Sequence, residues 1–217
     1  DREDLFIYSN DATNYNHLPD AVVKPAITAE VAAVVKVAAR HKIPLTARGA
    51  ATCLSGGAVP LKGGLVVETV RMNKIRKIDV ANKFAIAEAG VITFELITRV
   101  AEYGLLYPPD PSSYKESTIG GNVAECAGGP KGVKYGITRS FVLGLEAVLP
   151  DGTVIETGNA VDGEMCGPDW TMLLTGSEGT MALITAITLK LVPIPETKKT
   201  MMAIYNDLAD AAKTVSK

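Results

Sequence analysis

Between Leu45 and Pro60 the sequence runs LTARGAATCLSGGAVP: a short β-like stretch, one arginine, then glycine, alanine and small hydroxyl residues with almost no bulk. Such a backbone brings several N–H groups to bear on one anion, because successive amides in a turn form a concave nest for phosphate. Arg48 stands out within it. A lone cation in a loop poor in side chains suits a diphosphate, although pairing with a carboxylate would explain it as well. A second stretch of the same character, TIGGNVAECAGGPKGVKYG, spans Thr118 to Gly136. Taken singly, each stretch is equally well a tight turn that needs φ > 0. Together, with Arg48, Ser55, Thr118 and Asn122 embedded in them, they point to a ligand with a long phosphate-bearing spine, gripped from two sides.

The established phosphate signatures are absent. No Gly-x-x-x-x-Gly-Lys-Ser/Thr run occurs, and no two glycines stand two positions apart, so neither a P-loop nor a Rossmann fingerprint is present. The 217 residues, 47% of them hydrophobic, suffice for a large core. A net charge of −2 without a basic block, and 6% aromatic residues, argue against nucleic acid or anionic membrane as partners. Cys53, Cys126 and Cys166 are dispersed without Cys-x-x-Cys spacing, which fits a reducing cytoplasm, and Cys53 and Cys126 are taken as small space-fillers. His17 is assigned to a surface arm and His41 to a helix end where it suits the dipole; they lie too far apart to predict a metal site, and none is expected. No signal peptide or membrane span is expected either.

Ordered elements must position these segments. Residues 1–20, rich in Asn and Asp, are expected to form an irregular arm. The spacing of Val31, Val34, Val35 and Ala38 predicts an amphipathic helix from a Thr28 N-cap to about His41, with Glu30 favourable to the dipole. Strands at 43–47 and 64–68 complete a β-α-β lobe over 21–70. A second lobe, 71–195, opens with a hairpin of 75–79 and 85–88 turning at Asn82-Lys83, followed by a helix capped by Thr93 and stopped at Gly104. Pro108, Pro109 and Pro111 hold an extended segment in which Asp110 could simply make an Asx turn. Pro150-Asp151-Gly152 joins strands 142–149 and 153–156, and 181–192 alternates as one long strand beyond the turn at 176–180. A strand at 201–205 and a helix from Asp207 to Ala212 cannot bury a face of their own. Residues 196–217 are therefore expected to open a truncated substrate or cap domain.

Arg48-Gly49, Ser55-Gly56-Gly57, PPDPSS (108–113), STIGGNVAECAGG (117–129), KYG (134–136), VLPDG (148–152) and GSEGT (176–180) occur in this order. From about Asp4 to Pro193 the series resembles the FAD-binding domain of glycolate oxidase flavoprotein subunits and D-lactate dehydrogenases, the vanillyl-alcohol-oxidase or PCMH type. The resemblance implies an α+β, two-lobed PCMH-type FAD-binding domain: a small β-α-β lobe, a larger mixed or antiparallel sheet lobe with flanking helices, and FAD extended between them. Carried over by position, Arg48, Gly49, Ala50, Ala51, Thr52, Ser55, Gly56 and Gly57 would wrap the pyrophosphate through backbone amides. Pro109, Asp110 and Ser112 would line the approach to the isoalloxazine ring. Thr118, Gly121, Asn122, Ala124, Gly128 and Gly129 would hold the pyrophosphate, ribityl chain and flavin edge. Tyr135, Gly136, Glu178 and Gly179 would lie near the adenosine end or the domain seam, and Ile184 would offer backbone atoms. The family pattern Arg-Gly-x-Gly-Thr-Gly has glycine where Ala51 and Cys53 stand, and asparagine is common at Cys126. Some relatives tether the flavin through a histidine at the position of Thr52, so FAD here is expected to be non-covalent.

The implied activity is oxidation of a small 2-hydroxy acid (D-lactate, glycolate or similar) to the 2-oxo acid, with hydride transfer to flavin N5. In the family the substrate-binding groups, metal-coordinating histidines among them, lie in the half that follows the flavin domain. No catalytic residue is therefore assigned, and the chain alone is expected to bind FAD but turn over poorly. Two alternatives stay open: a flavin-holding electron-relay subunit completed by a partner chain, or another flavoenzyme of this type, such as an aryl-alcohol oxidase or alkyl-glycerone-phosphate synthase. An electron-acceptor subunit or a second copy is the expected partner, in the cytoplasm or held at the inner membrane through that partner.

Overall fold

Val31, Ala32, Val35 and Ala38 fall on one face of a helix, and that face is what the smaller lobe buries. The computed structural model describes residues 2–158 and 168–215; Cys166 lies outside them. The first elements are α1 (Arg2–Phe6), β1 (Ala21–Val23), α2 (Thr28–His41), β2 (Leu45–Arg48) and β3 (Leu65–Glu68). β3 lies between β1 and β2 and runs parallel to both, with Val66 opposite Val22 and Thr46. The expected β-α-β lobe thus forms with one strand more, since three residues after Pro19 are too few to carry a strand pattern. Val31, Ala32 and Val35 of α2 share a buried cluster with Val67, Met72, Val148 and Leu183. Each such valine contributes roughly 1.5–3 kcal/mol.

Thr28 does not cap α2. Its hydroxyl donates across the seam to Glu146 Oε1 (2.5 Å), while Glu30 reaches back to accept the Ala26 N–H (2.7 Å). Thr28 is already the first helical residue, and Ile27 holds the cap position.

The larger lobe contains β4 (Ile75–Asp79), β5 (Phe84–Glu88), α3 (Thr93–Ala101), β6 (Leu105–Leu106), α4 (Ile119–Ala124), α5 (Gly132–Tyr135) and a short 3-10 turn (Thr138–Phe141). It continues through β7 (Val142–Val148), β8 (Val154–Gly158), α6 (Trp170–Leu174), β9 (Leu183–Lys190) and β10 (Val192–Pro193). Five strands form an antiparallel sheet in the order β4-β5-β9-β7-β8, and β10 pairs with β6. Leu96 and Val100 of α3 and Ile119 and Val123 of α4 belong to its core, with Ala87, Leu145 and Ile187 from the sheet.

Three expectations change. Thr93 is not a cap: Ile92 holds that place, and the Thr93 hydroxyl is buried on Ser117 and Asn122. The Thr118 stretch is not a loop throughout, because Ile119–Ala124 forms a helix whose N-cap, Thr118, accepts from the Gly121 N–H. Its glycines are poor helix formers, but a Cβ at Gly120 would stand 2.6 Å from Ala89 Cβ, so the absence of one lets α4 approach the end of β5. Residues 201–205 form no strand; Asp207 does accept the Ala209 N–H, at the start of α7 (Leu208–Val215), which buries none of its residues among those described.

A charged network ties the strands of the larger sheet together, and Thr28 of α2 joins it through Glu146. Arg76 bonds Glu88 Oε1 (3.1 Å) and both oxygens of Glu146 (3.1 and 3.3 Å), and Thr185 adds a bond to Glu146 Oε1 (2.8 Å). Burial presses the Glu146 pKa upward, but hydrogen bonds from Arg76, Thr28 and Thr185 outweigh it and hold it below the ordinary 4.5. The stabilisation is therefore complete above that value and is lost as pH falls through the lower folded pKa. Glu146→Gln is expected to lower stability by about 1–2 kcal/mol at neutral pH and to flatten the acid limb of a plot of Tm against pH.

Candidate functional site

Where β2 ends, the backbone enters the small-residue loop, and α4 and the start of β9 face it across a cleft. Of the residues carried over by resemblance, Arg48, Gly49, Ala50, Ala51, Thr52, Gly57, Thr118, Gly121, Asn122, Ala124, Glu178, Gly179 and Ile184 line this cleft. Three segments far apart in sequence are thus brought together. The others fall outside the wall. Ser55 donates to Glu125 Oε1 (3.0 Å) and Oε2 (2.9 Å), and Gly56 sits beneath the Tyr15 ring. Pro109, Asp110, Ser112, Gly128, Gly129, Tyr135 and Gly136 do not line the cleft either. Asp110 accepts the Lys131 N–H (3.1 Å) and pairs with Lys131 Nζ (3.5 Å) instead of closing an Asx turn on its own segment.

The cleft's chemistry lies in its backbone. None of the N–H groups from Gly49 to Ser55 donates to an acceptor among the described residues. Amide groups left without protein partners need water or a ligand, and a run of them forms an anion nest. Side chains on the opposite wall are fixed by a buried network: Asn122 Nδ2 donates to Thr93 Oγ1 (2.6 Å), which donates to the Ser117 carbonyl (3.0 Å).

Arg48 behaves differently from the diphosphate cation its type suggests. It is 8% exposed, and its guanidinium donates to the carbonyls of Asn10 (2.8 Å), Ala58 (3.3 Å) and Ile7 (3.2 Å). Burial lowers its pKa, opposed by the nearby Glu68 carboxylate. The Cys53 thiol, in the cleft wall, donates to Asp11 Oδ2 (3.2 Å); burial first and that bond second push its pKa up to about 11. A thiol so held stays protonated at neutral pH, in keeping with a space-filler.

Strain concentrates here. Ala51, Cys126 and Glu178 adopt φ of 53°, 51° and 53°. Left-handed backbone costs an L-residue roughly 1–2 kcal/mol, so Ala51 keeps a glycine conformation without being glycine. Ala51→Gly is expected to raise stability by about 0.5–1 kcal/mol, read as a higher urea midpoint; an unchanged midpoint would show that the loop carries no such strain.

Some wall residues escaped the sequence reading: Ala47, Ser117, Gly120, Glu125, Ala182 and Leu183. Ser117 and Gly120 carried no sequence signal of their own, because the helix that places them, α4, is obscured by its glycines. Burial raises the Glu125 carboxyl above its usual range, with Glu178 and Asp11 adding repulsion against the Ser55 hydrogen bond.

A family model described as "FAD binding domain" matches residues 19–158. Glycolate oxidase subunit GlcD of Bacillus subtilis (strain 168) is 48% identical over 211 residues, covering 97% of this chain and 45% of that protein. D-lactate dehydrogenase of Anaerostipes hadrus is 42% identical over 197 residues, covering 91% and 41%. A solved structure of alkyldihydroxyacetonephosphate synthase superposes with a TM-score of 0.74 at 26% identity, over 84% of this chain and 36% of the other. The chain spans about half the length of the curated relatives it matches. Its parallel and antiparallel sheets and the fold of that neighbour are those of the two-lobed α+β class the resemblance implied. Amides without protein acceptors lie in this cleft beside an apolar wall of Ala182, Leu183 and Ile184, a lining that suits a dinucleotide's diphosphate. Fold, cleft and family match therefore agree: this chain belongs to the FAD binding domain family, and FAD is its cofactor.

Proposed function

We propose that the chain is the FAD-holding part of an oxidoreductase that converts a 2-hydroxy acid such as D-lactate or glycolate into the 2-oxo acid. The observation that carries the proposal is the run of unpartnered amides from Gly49 to Ser55, joined to the likeness to a glycolate oxidase subunit and a D-lactate dehydrogenase. Bound FAD supplies hydride acceptance from the carbon that bears the hydroxyl. The chain's own task is to bind and orient. The amides of Gly49, Ala50, Ala51 and Thr52 take the diphosphate, Thr118, Gly121, Asn122 and Ala124 form the facing wall, and Glu178, Gly179 and Ile184 close the third side. Ser55, Gly56, Pro109, Asp110, Ser112, Gly128, Gly129, Tyr135 and Gly136 support that wall from outside it.

FAD is held without a covalent bond. Thr52 carries no imidazole, and the Cys53 thiol is protonated and bonded to Asp11. No proton acceptor is assigned in this chain, and among the described residues no group of three or more His, Cys, Asp or Glu could hold a metal. Residues 1–20 serve as an arm, 21–70 and 71–195 as the two lobes, and 196–217 as the beginning of the substrate domain. The free, half-buried thiols of Cys53 and Cys126 suit the cytoplasm, with an electron-acceptor subunit or second copy as partner. No helix among the described residues is long and apolar enough to cross a membrane.

The full protein should purify yellow, release its chromophore in acid, and bleach without oxygen when D-lactate or glycolate is added. A yellow protein that no 2-hydroxy acid reduces would overturn the substrate class, colour that acid fails to release would overturn the non-covalent attachment, and colourless material that refuses added FAD would overturn the cofactor role.

A further inference from the structure

The loop that would hold FAD does not hold itself. Its amides from Gly49 to Ser55 have no acceptors among the described residues, yet its backbone is fixed well enough to keep Ala51 left-handed. Something outside the loop imposes that shape, and the contacts lead to the N-terminal arm. The Arg48 guanidinium, at the loop's entry, donates to the carbonyls of Ile7 and Asn10 on the arm and of Ala58 at the loop's exit, and lies 5.5 Å from the Tyr8 ring centroid. At the middle, the Ala12 N–H donates to the Cys53 carbonyl (3.2 Å), and Asp11 accepts the Cys53 thiol. Near the exit, the Tyr15 ring covers Gly56.

The arm is itself ordered. Ser9 is fully buried, its carbonyl accepts the His17 N–H (2.8 Å), Asn10 and Asn16 form a bridge, and Asp11 Oδ1 accepts the Thr13 N–H (2.8 Å). No residue of the arm between Ile7 and Asn16 lines the cleft.

We propose that residues 7–15 are a brace that preorganises the FAD loop, and that Arg48 is its positioning residue, acting through loop geometry and not by charge on the diphosphate. This rests on the FAD reading above. An unbraced loop visits the binding-competent shape only part of the time, so the apparent affinity falls by that fraction. The loss then appears in the association rate, whereas losing a direct cofactor contact appears in dissociation. Lysine keeps the charge but cannot span three carbonyls as the planar fork does.

The test uses the full chain with Arg48→Lys and, as a milder change outside the cleft, Asp11→Ala. Stopped-flow FAD binding is expected to show association slowed about tenfold in each variant, with dissociation within about twofold of the parent. Amide hydrogen exchange at residues 49–57, measured without FAD, is expected to quicken in both, while the rest of the fold keeps its protection. If Arg48→Lys fails to fold, Asp11→Ala decides alone. Wild-type rates in Asp11→Ala, a loss confined to dissociation, or unchanged exchange at 49–57 would overturn the brace. Should the parent protein take no FAD at all, the cofactor reading falls, and the exchange comparison still decides on the arm.

Discussion

Replacing Gly49 with alanine is expected to weaken FAD binding by about tenfold to a hundredfold, the effect of roughly 1–3 kcal/mol of overpacking. The added Cβ would clash with Thr118 Oγ1 from the facing wall. Thr118 is 1% exposed and β-branched, so it has no free rotamer to escape into, and its hydroxyl also accepts the Gly121 N–H (3.3 Å). Either α4 loses its cap or the loop moves away, and both outcomes reshape the cleft. The pair Gly49→Ala with Thr118→Ala separates clash from cap. Without Oγ1, the new methyl would meet Thr118 Cβ at 3.5 Å, an ordinary contact. The double variant should therefore bind FAD more tightly than Gly49→Ala alone, although Thr118→Ala by itself costs about 1 kcal/mol of helix capping. Flavin fluorescence titration of the four proteins measures the coupling; strictly additive losses would show that the walls are not in contact through these atoms.

Thr93→Val should be the most destabilising of the near-isosteric changes, at about 2–3 kcal/mol. Thr93 is fully buried, and its hydroxyl joins the Asn122 amide, the Ser117 carbonyl and Ser117 Oγ at 2.6, 3.0 and 3.0 Å. Valine fills the same space but deprives the Asn122 amide and Ser117 Oγ of this partner away from water, while the Ser117 carbonyl keeps the Thr93 N–H (2.9 Å). Asn122, 3% exposed, then loses the bond that fixes it in the cleft wall, so FAD affinity should fall together with stability. Thr93→Ser, which keeps the hydroxyl, should recover most of both. Urea unfolding checks this: a Thr93→Val midpoint close to that of the parent would mean that the network carries little energy.

Much of this fold was legible because its signals were local. Val31, Val34, Val35 and Ala38 announced α2, and Pro150-Asp151-Gly152 announced the hairpin of β7 and β8, with Gly152 at φ 82°. The roles of Thr28 and Thr93 were not legible. Each is the first helical residue, one past the cap position, and its hydroxyl is claimed by a group distant in sequence, Glu146 and Ser117 respectively. α4 was hidden because Gly120 and Gly121 oppose helix formation locally, and only the close approach to Ala89 explains them. The strand expected at 201–205 has the right residues, but Met201, Met202 and Ile204 stay exposed with no strand beside them among those described. At the cleft, the amide-rich loop singled out in the sequence forms one wall. The sequence could not show that Arg48 turns to carbonyls of the arm, since that depends on contacts 38 and 41 residues away.

In the proposed mode of binding, backbone amides and not side chains receive the diphosphate. Amide hydrogen exchange across the chain, with and without FAD, reads this directly. Slowed exchange at Gly49–Ser55 on binding, larger than anywhere else in the two lobes, is the predicted result. Exchange there that does not change while FAD is demonstrably bound would contradict it.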